Sequence, residues 1–148
     1  MQAANVLRMI TYIMAFFAIF VGTNSFNNGN YTKGLKEIMT YGLIPMALSA
    51  TIRHIFYSGS ITKGGRFFEF EAGGSNLAIA VAAIIAIMKE MNNNVLGIIF
   101  LIYAIYLFMG SLAWYIFNPK DKIVIWLLKF WAIGGAFAYF SYIAFTNK

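Results

Sequence analysis

The chain contains no cysteine, one histidine, two prolines and very little charge. Without cysteine there is no disulfide, thiol nucleophile, iron–sulfur cluster or cysteine-ligated zinc. With His54 as its single histidine, the chain cannot form a bis-histidine haem on its own. Only 11% of the 148 residues are charged, against about 25% in a soluble domain. So few charges cannot cover a water-facing surface. The chain is instead 61% hydrophobic and 18% aromatic, with a mean hydropathy of +0.72, so lipid must solvate most of its surface. The net charge of +6 is scattered between apolar runs, which marks membrane-surface charge and gives no nucleic-acid footprint.

A helix needs about 20 apolar residues, each rising 1.5 Å, to cross the hydrocarbon core. Five segments meet that length: residues 5–22, 37–57, 68–88, 95–117 and 123–145. The breaks between them (TNSFNNGNYTKG, SGSITKGGR, KEMNNN and NPKDK) are rich in asparagine, glycine and charge. The expectation is an all-α, polytopic transmembrane bundle of five helices with short loops, forming a single domain over residues 1–148. Pro45 falls inside the second span and predicts a kink there, while Asn118-Pro119 predicts a firm stop. The apolar amino-terminal stretch lacks a clean small-x-small cleavage site, so it is expected to be a mature helix.

Five spans place the amino terminus and the second and fourth loops on one side. Arg8, Arg53, Lys63, Arg66, Lys120 and Lys122 lie there, against Lys33, Lys36, Lys89 and Lys148 on the other. Six against four favours an inner amino terminus and an outer carboxyl terminus. On that topology the ionisable residues within apolar runs converge in one leaflet. Glu71 lies about 5 Å into its span and Lys129 about 9 Å into its own; Arg8, Arg53 and His54 lie at the same level. Together with Asn76 they form the candidate polar cluster, because charge at membrane depth is costly unless paired or hydrated. Arg8, Arg53 and Lys129 are equally able to snorkel to inner headgroups.

The stretch FFEFEAGGSNLAIA carries two glutamates. If both are helical they point about 200° apart and cannot serve one substrate; an extended start would align them. Glu69 suits the first turn, where the helix dipole favours an acid, and Glu71 is the deeper of the two. Glu71 is therefore expected inside the bundle, within reach of Lys129, Arg53 or Arg8. Gly74, Ala78, Ala82 and Ala86 recur every four residues as a small-residue stripe that allows close helix approach in lipid. Ala132–Ala138 of the last span is a candidate partner. No phosphate-binding loop and no His-x-x-x-His or Glu-x-x-His pattern occurs, so no catalytic residue, cofactor or metal is assigned.

At Arg53-His54-Ile55-Phe56, and again at Phe68-Glu69-Phe70-Glu71-Ala72-Gly73-Gly74-Ser75-Asn76-Leu77-Ala78, the chain resembles a group of small prokaryotic multi-helix membrane proteins. These share a His-x-Phe element and a Phe-x-Phe-Glu-x-Gly-x-x-Asn-Leu-Ala segment. The resemblance covers about 25 residues and implies membrane topology. It places His54, Glu71, Gly73 and Asn76 on recurrent positions and puts Glu69 where glutamine is usual. The Gly-Trp and Ser-Pro dipeptides that usually precede the segment are missing here, and no activity comes with the group.

Three functional readings follow. The first is a non-enzymatic structural or accessory subunit, which packs against other membrane proteins or against itself in the bilayer. The second is a small transporter or proton or ion pathway lined by Glu71, Asn76, Lys129 and His54. The third is a membrane enzyme acting on a lipid-soluble substrate such as a quinone. It has the least support, because only carboxylates and one histidine could do chemistry.

Overall fold

Asparagine and glycine decide where the first helix stops. Helix α1 (Gln2–Asn27) ends with Gly29 at φ 73°, a left-handed conformation that costs glycine nothing. The Gly29 N–H donates to Phe26 O at 2.9 Å and the Asn30 N–H to Ser25 O at 3.0 Å, the paired closure of a Schellman motif. Asn30 then starts α2 (Tyr31–Ile38), its Oδ1 accepting from the Lys33 N–H at 3.1 Å. The run NNGN is thus both stop and start signal.

The computed structural model describes residues 2–57, 65–117 and 123–147, and among these there is no strand. The expected stop at Asn118-Pro119 lies outside the described residues, as do residues 58–64 of the second predicted loop. After α2 come a π-helical turn (Met39–Leu43), α3 (Ile44–Phe56), α4 (Gly65–Met88), α5 (Asn93–Phe117) and α6 (Ile123–Thr146). These helices fall into two compact units, Met1–Asn92 and Asn93–Lys148. The short polar link between them shows no shift of composition that would mark a boundary in the sequence.

The π turn gives the effect of Pro45 a specific form. The Ile44 N–H donates to Met39 O, five residues back. Pro45 has no N–H, and its ring would press on the carbonyl four residues earlier, that of Tyr41. Widening the preceding turn relieves that conflict. The expected span 37–57 therefore contains a bulge and no break, for Ile38, Met39, Leu43 and Ile44 all keep right-handed helical torsions and the backbone runs on from α2 through the π turn into α3.

In the first unit α1 and α2 approach so closely that a Cβ on Gly34 would sit 2.9 Å from Gly22 O. Leu35, Ile38, Met39, Leu43 and Ala47 are fully buried there. Helix α3 packs on α4, where Thr51 Oγ1 donates to Gly73 O at 3.2 Å. A Cβ on Gly73 would lie 2.7 Å from Ile55 Cγ1. Thr11 Oγ1 and Ser49 Oγ join α1 to α3 by a hydrogen bond.

The second unit is an antiparallel α5–α6 hairpin. Asn93 Nδ2 donates to Asn147 O at 2.7 Å at one end, and Trp131 Nε1 donates to Ser111 Oγ at 3.1 Å at the other. Phe100, Phe137 and Phe140 form its aromatic core, with ring centroids about 6 Å apart. Gly134, in the stretch expected to pack on the third span, lies under the Phe108 ring of α5, which a Cβ would meet at 3.2 Å.

Among the described residues three helical segments are long and apolar enough to cross a membrane: Met9–Asn27, Glu69–Met88 and Asn93–Ala113. They match three of the five expected spans. The described apolar part of α6, Phe130–Thr146, is shorter. Large side chains stand open along these segments, among them Phe16 at 76% exposure and Phe20 at 68%.

Candidate functional site

The last turn of α3 carries Arg53 and His54, and the second turn of α4 carries Glu69. Helix α4 is regular from Gly65 onward, so the two glutamates diverge as helical geometry requires. Glu69 shares a face with Gly73, Asn76, Ala80 and Ala83, all buried. Glu71 shares the opposite face with Gly74, Ala78 and Ala82, all exposed.

Glu69 is 1% exposed, and its Oε2 lies 2.5 Å from His54 Nδ1. On the other side of the imidazole, Arg53 Nη2 lies 3.4 Å from His54 Nε2. A guanidinium can only donate and an ionised carboxylate can only accept. The pattern that satisfies both places the imidazole proton on Nδ1, donated to Glu69, and leaves Nε2 to accept from Arg53. Hydrogen-bonded partners of this kind are the form in which ionisable groups are tolerated away from water.

The placement corrects several expectations. Glu71, expected inside the bundle, is exposed, and among the described residues no hydrogen bond or ion pair holds it. Glu69, expected to be an ordinary first-turn acid, is the buried member of the pair. Asn76 is buried on the Glu69 face, and its Nδ2 donates to Ala72 O of its own helix at 2.8 Å. Arg53 and His54 are half-buried beside Glu69. The side chains of Arg8 and Lys129 lie outside the described residues.

The small-residue stripe is divided as well. Ala86 is buried, while Gly74, Ala78 and Ala82 face away from the packed side of α4. A Cβ on Gly74 would meet nothing within 4 Å. The close approach to α3 is made one residue earlier, at Gly73.

Sequence reasoning missed a second polar contact. Ser25 Oγ donates to Glu37 Oε2 at 2.5 Å, and Lys33 Nζ lies 3.8 Å from Glu37 Oε1. The signal was the NNGN corner, which folds α2 back along α1 and brings residues 25 and 37 together. Among the described residues no group of three or more His, Cys, Asp or Glu side chains could hold a metal ion.

Comparison with protein families, with curated proteins and with solved structures returns no match. The likeness to small prokaryotic membrane proteins therefore rests on its motif residues alone.

Proposed function

We propose that the protein is a multi-pass membrane protein of accessory or structural type that works by packing against other membrane proteins. Its amino terminus would lie on the inner side, as the distribution of Lys and Arg favours. The observation that carries this reading is the outer face of α4. Gly74, Ala78 and Ala82 form a row of small side chains on a span-length helix, and the face they occupy is exposed. In lipid, association between helices relies on van der Waals contact, which such rows make close. The triad Arg53–His54–Glu69 serves in this reading as a tie that holds α3 and α4 together and fixes which face α4 turns outward.

The test is extraction in mild detergent at natural abundance, followed by mass measurement of the intact particle. A stoichiometric complex larger than the single chain is expected, and it should dissociate when Gly74→Leu and Ala78→Leu are introduced. A single-chain particle, unchanged by the substitutions, would contradict the reading.

A proton or ion pathway is the second reading, favoured by the buried Glu69–His54 pair. It moves from Glu71, where the sequence put it, to Glu69. Flux through reconstituted liposomes that Glu69→Gln abolishes and Glu71→Gln spares would support it.

A further inference from the structure

We propose that the cavity at the α1–α2 corner binds a phosphate group, an assignment independent of the packing function above. The cavity is open, has a volume of about 380 Å³, and is lined by Asn30, Thr32, Lys33, Lys36, Thr40 and Tyr41, with Glu37. Its chemistry is that of an anion site. Two ammonium groups, two hydroxyls, a phenol and an amide supply donors, spaced about four residues apart along one face of the helical run formed by α2 and the π turn, with Asn30 at its start.

The acceptors that could compete are already engaged. Asn30 Oδ1 takes the Lys33 N–H, which leaves the amide NH2 group. Glu37 takes the Ser25 hydroxyl on one oxygen and faces Lys33 with the other. Two lysines against one glutamate leave a surplus of one positive charge. Among the described residues no carboxylate pairs with Lys36, although its side chain is half-buried. Such a group gains most from an anionic ligand, because charge-assisted hydrogen bonds are the strong ones.

The π turn contributes directly. Its residues Thr40 and Tyr41 follow Lys36 and Glu37 by four positions on the same helix face, and π segments recur at functional sites. The Tyr41 ring is held edge-on to Phe17, with centroids 6.1 Å apart.

The cavity's position fits a membrane source. Helix α2 starts four residues after Asn27, the end of a candidate span. It buries Gly34, Leu35 and Ile38 and exposes Tyr31, Thr32 and Lys33. Packed back along α1, with Gly34 against Gly22, α2 sets this exposed face beside the last turns of that span. The phosphate could belong to a phospholipid headgroup or be free in solution, and the experiment separates the two.

The full-length protein in a non-ionic detergent is titrated with short-chain phosphatidylglycerol, with the diacylglycerol of the same chains, and with inorganic phosphate. Saturable binding of phosphatidylglycerol or of inorganic phosphate is expected, with none of diacylglycerol. Binding by the lipid alone identifies the headgroup as the source, and binding by inorganic phosphate identifies a soluble anion. Lys36→Gln should weaken binding by about tenfold or more, as loss of a charge-assisted hydrogen bond implies. Lys36→Arg should retain it, and Lys89→Gln, on an exposed turn elsewhere, should leave it unchanged. Lys33→Gln alters an exposed side chain and serves if Lys36→Gln does not fold; it too should weaken binding. Diacylglycerol binding as tightly as phosphatidylglycerol, affinity indifferent to both lysine variants, or no saturable binding would overturn the proposal.

Discussion

Glu69 Oε2 lies 2.5 Å from His54 Nδ1, joining the second turn of α4 to the last turn of α3. The carboxylate is almost completely removed from solvent, and the imidazole is itself backed by Arg53. The contact fixes the rotation of α4 about its axis, and with it the residues that face outward.

The first prediction separates the two glutamates. Removing one member of a buried pair leaves the other without compensation, at a cost of about 3–5 kcal/mol. Glu69→Ala should therefore lower the thermal unfolding midpoint in detergent strongly, whereas Glu71→Ala should stay within about 0.5 kcal/mol of the parent, like other exposed substitutions. His54→Ala and Glu69→Ala combined should be non-additive by about 1–3 kcal/mol, as expected of side chains in contact. An equal response of the two glutamates would place the ionisable contact elsewhere.

The neighbouring glycines should respond with opposite sign. A methyl group on Gly73 meets Ile55 at 2.7 Å, so Gly73→Ala should destabilise by about 1–3 kcal/mol through overpacking. Gly74 faces open space within the same helix. Gly74→Ala gains helix propensity and should be neutral or stabilising by up to about 1 kcal/mol. Denaturation of both variants under one set of conditions checks the contrast.

At the end of α4, Glu90 takes the left-handed position, with φ 49°. Its N–H donates to Ile87 O, and the Met91 N–H donates to Ala86 O, the same closure that Gly29 makes after α1. A residue with a Cβ is strained there by roughly 1–2 kcal/mol, a strain glycine avoids at some cost in entropy. Glu90→Gly should raise stability by about 0.5–1 kcal/mol. A loss of stability would show that the Glu90 side chain contributes a contact that outweighs the strain.

The sequence made the helical, apolar character legible because composition and run length carry it directly. It also located Pro45 as a disruption, although which disruption depends on how the carbonyl of Tyr41 is accommodated. The rotation of α4 was not legible. Its residues are apolar on nearly every side, so no amphipathic stripe distinguishes the packed face from the lipid face. The difference between Glu69 inward and Glu71 inward, or between Gly73 and Gly74 as the close-packing residue, is a rotation of one or two positions. Only the neighbouring helix decides it, through Thr51, His54 and Ile55. The Ser25–Glu37 contact was hidden for a related reason, since it exists only once the Asn28–Asn30 corner has turned the chain.

The most direct measurement uses the absence of cysteine. Single cysteines at Ala78 and Ala80 stand two residues apart on α4, one exposed and one buried against its own unit. In native membranes, a cysteine-reactive cross-linker should join the Ala78→Cys protein to a partner in a discrete, stoichiometric product and leave the Ala80→Cys protein unlinked. Cross-linking at position 80 equal to that at 78, or none at 78, would contradict the account that α4 turns Glu69 inward and offers its small-residue face to a partner.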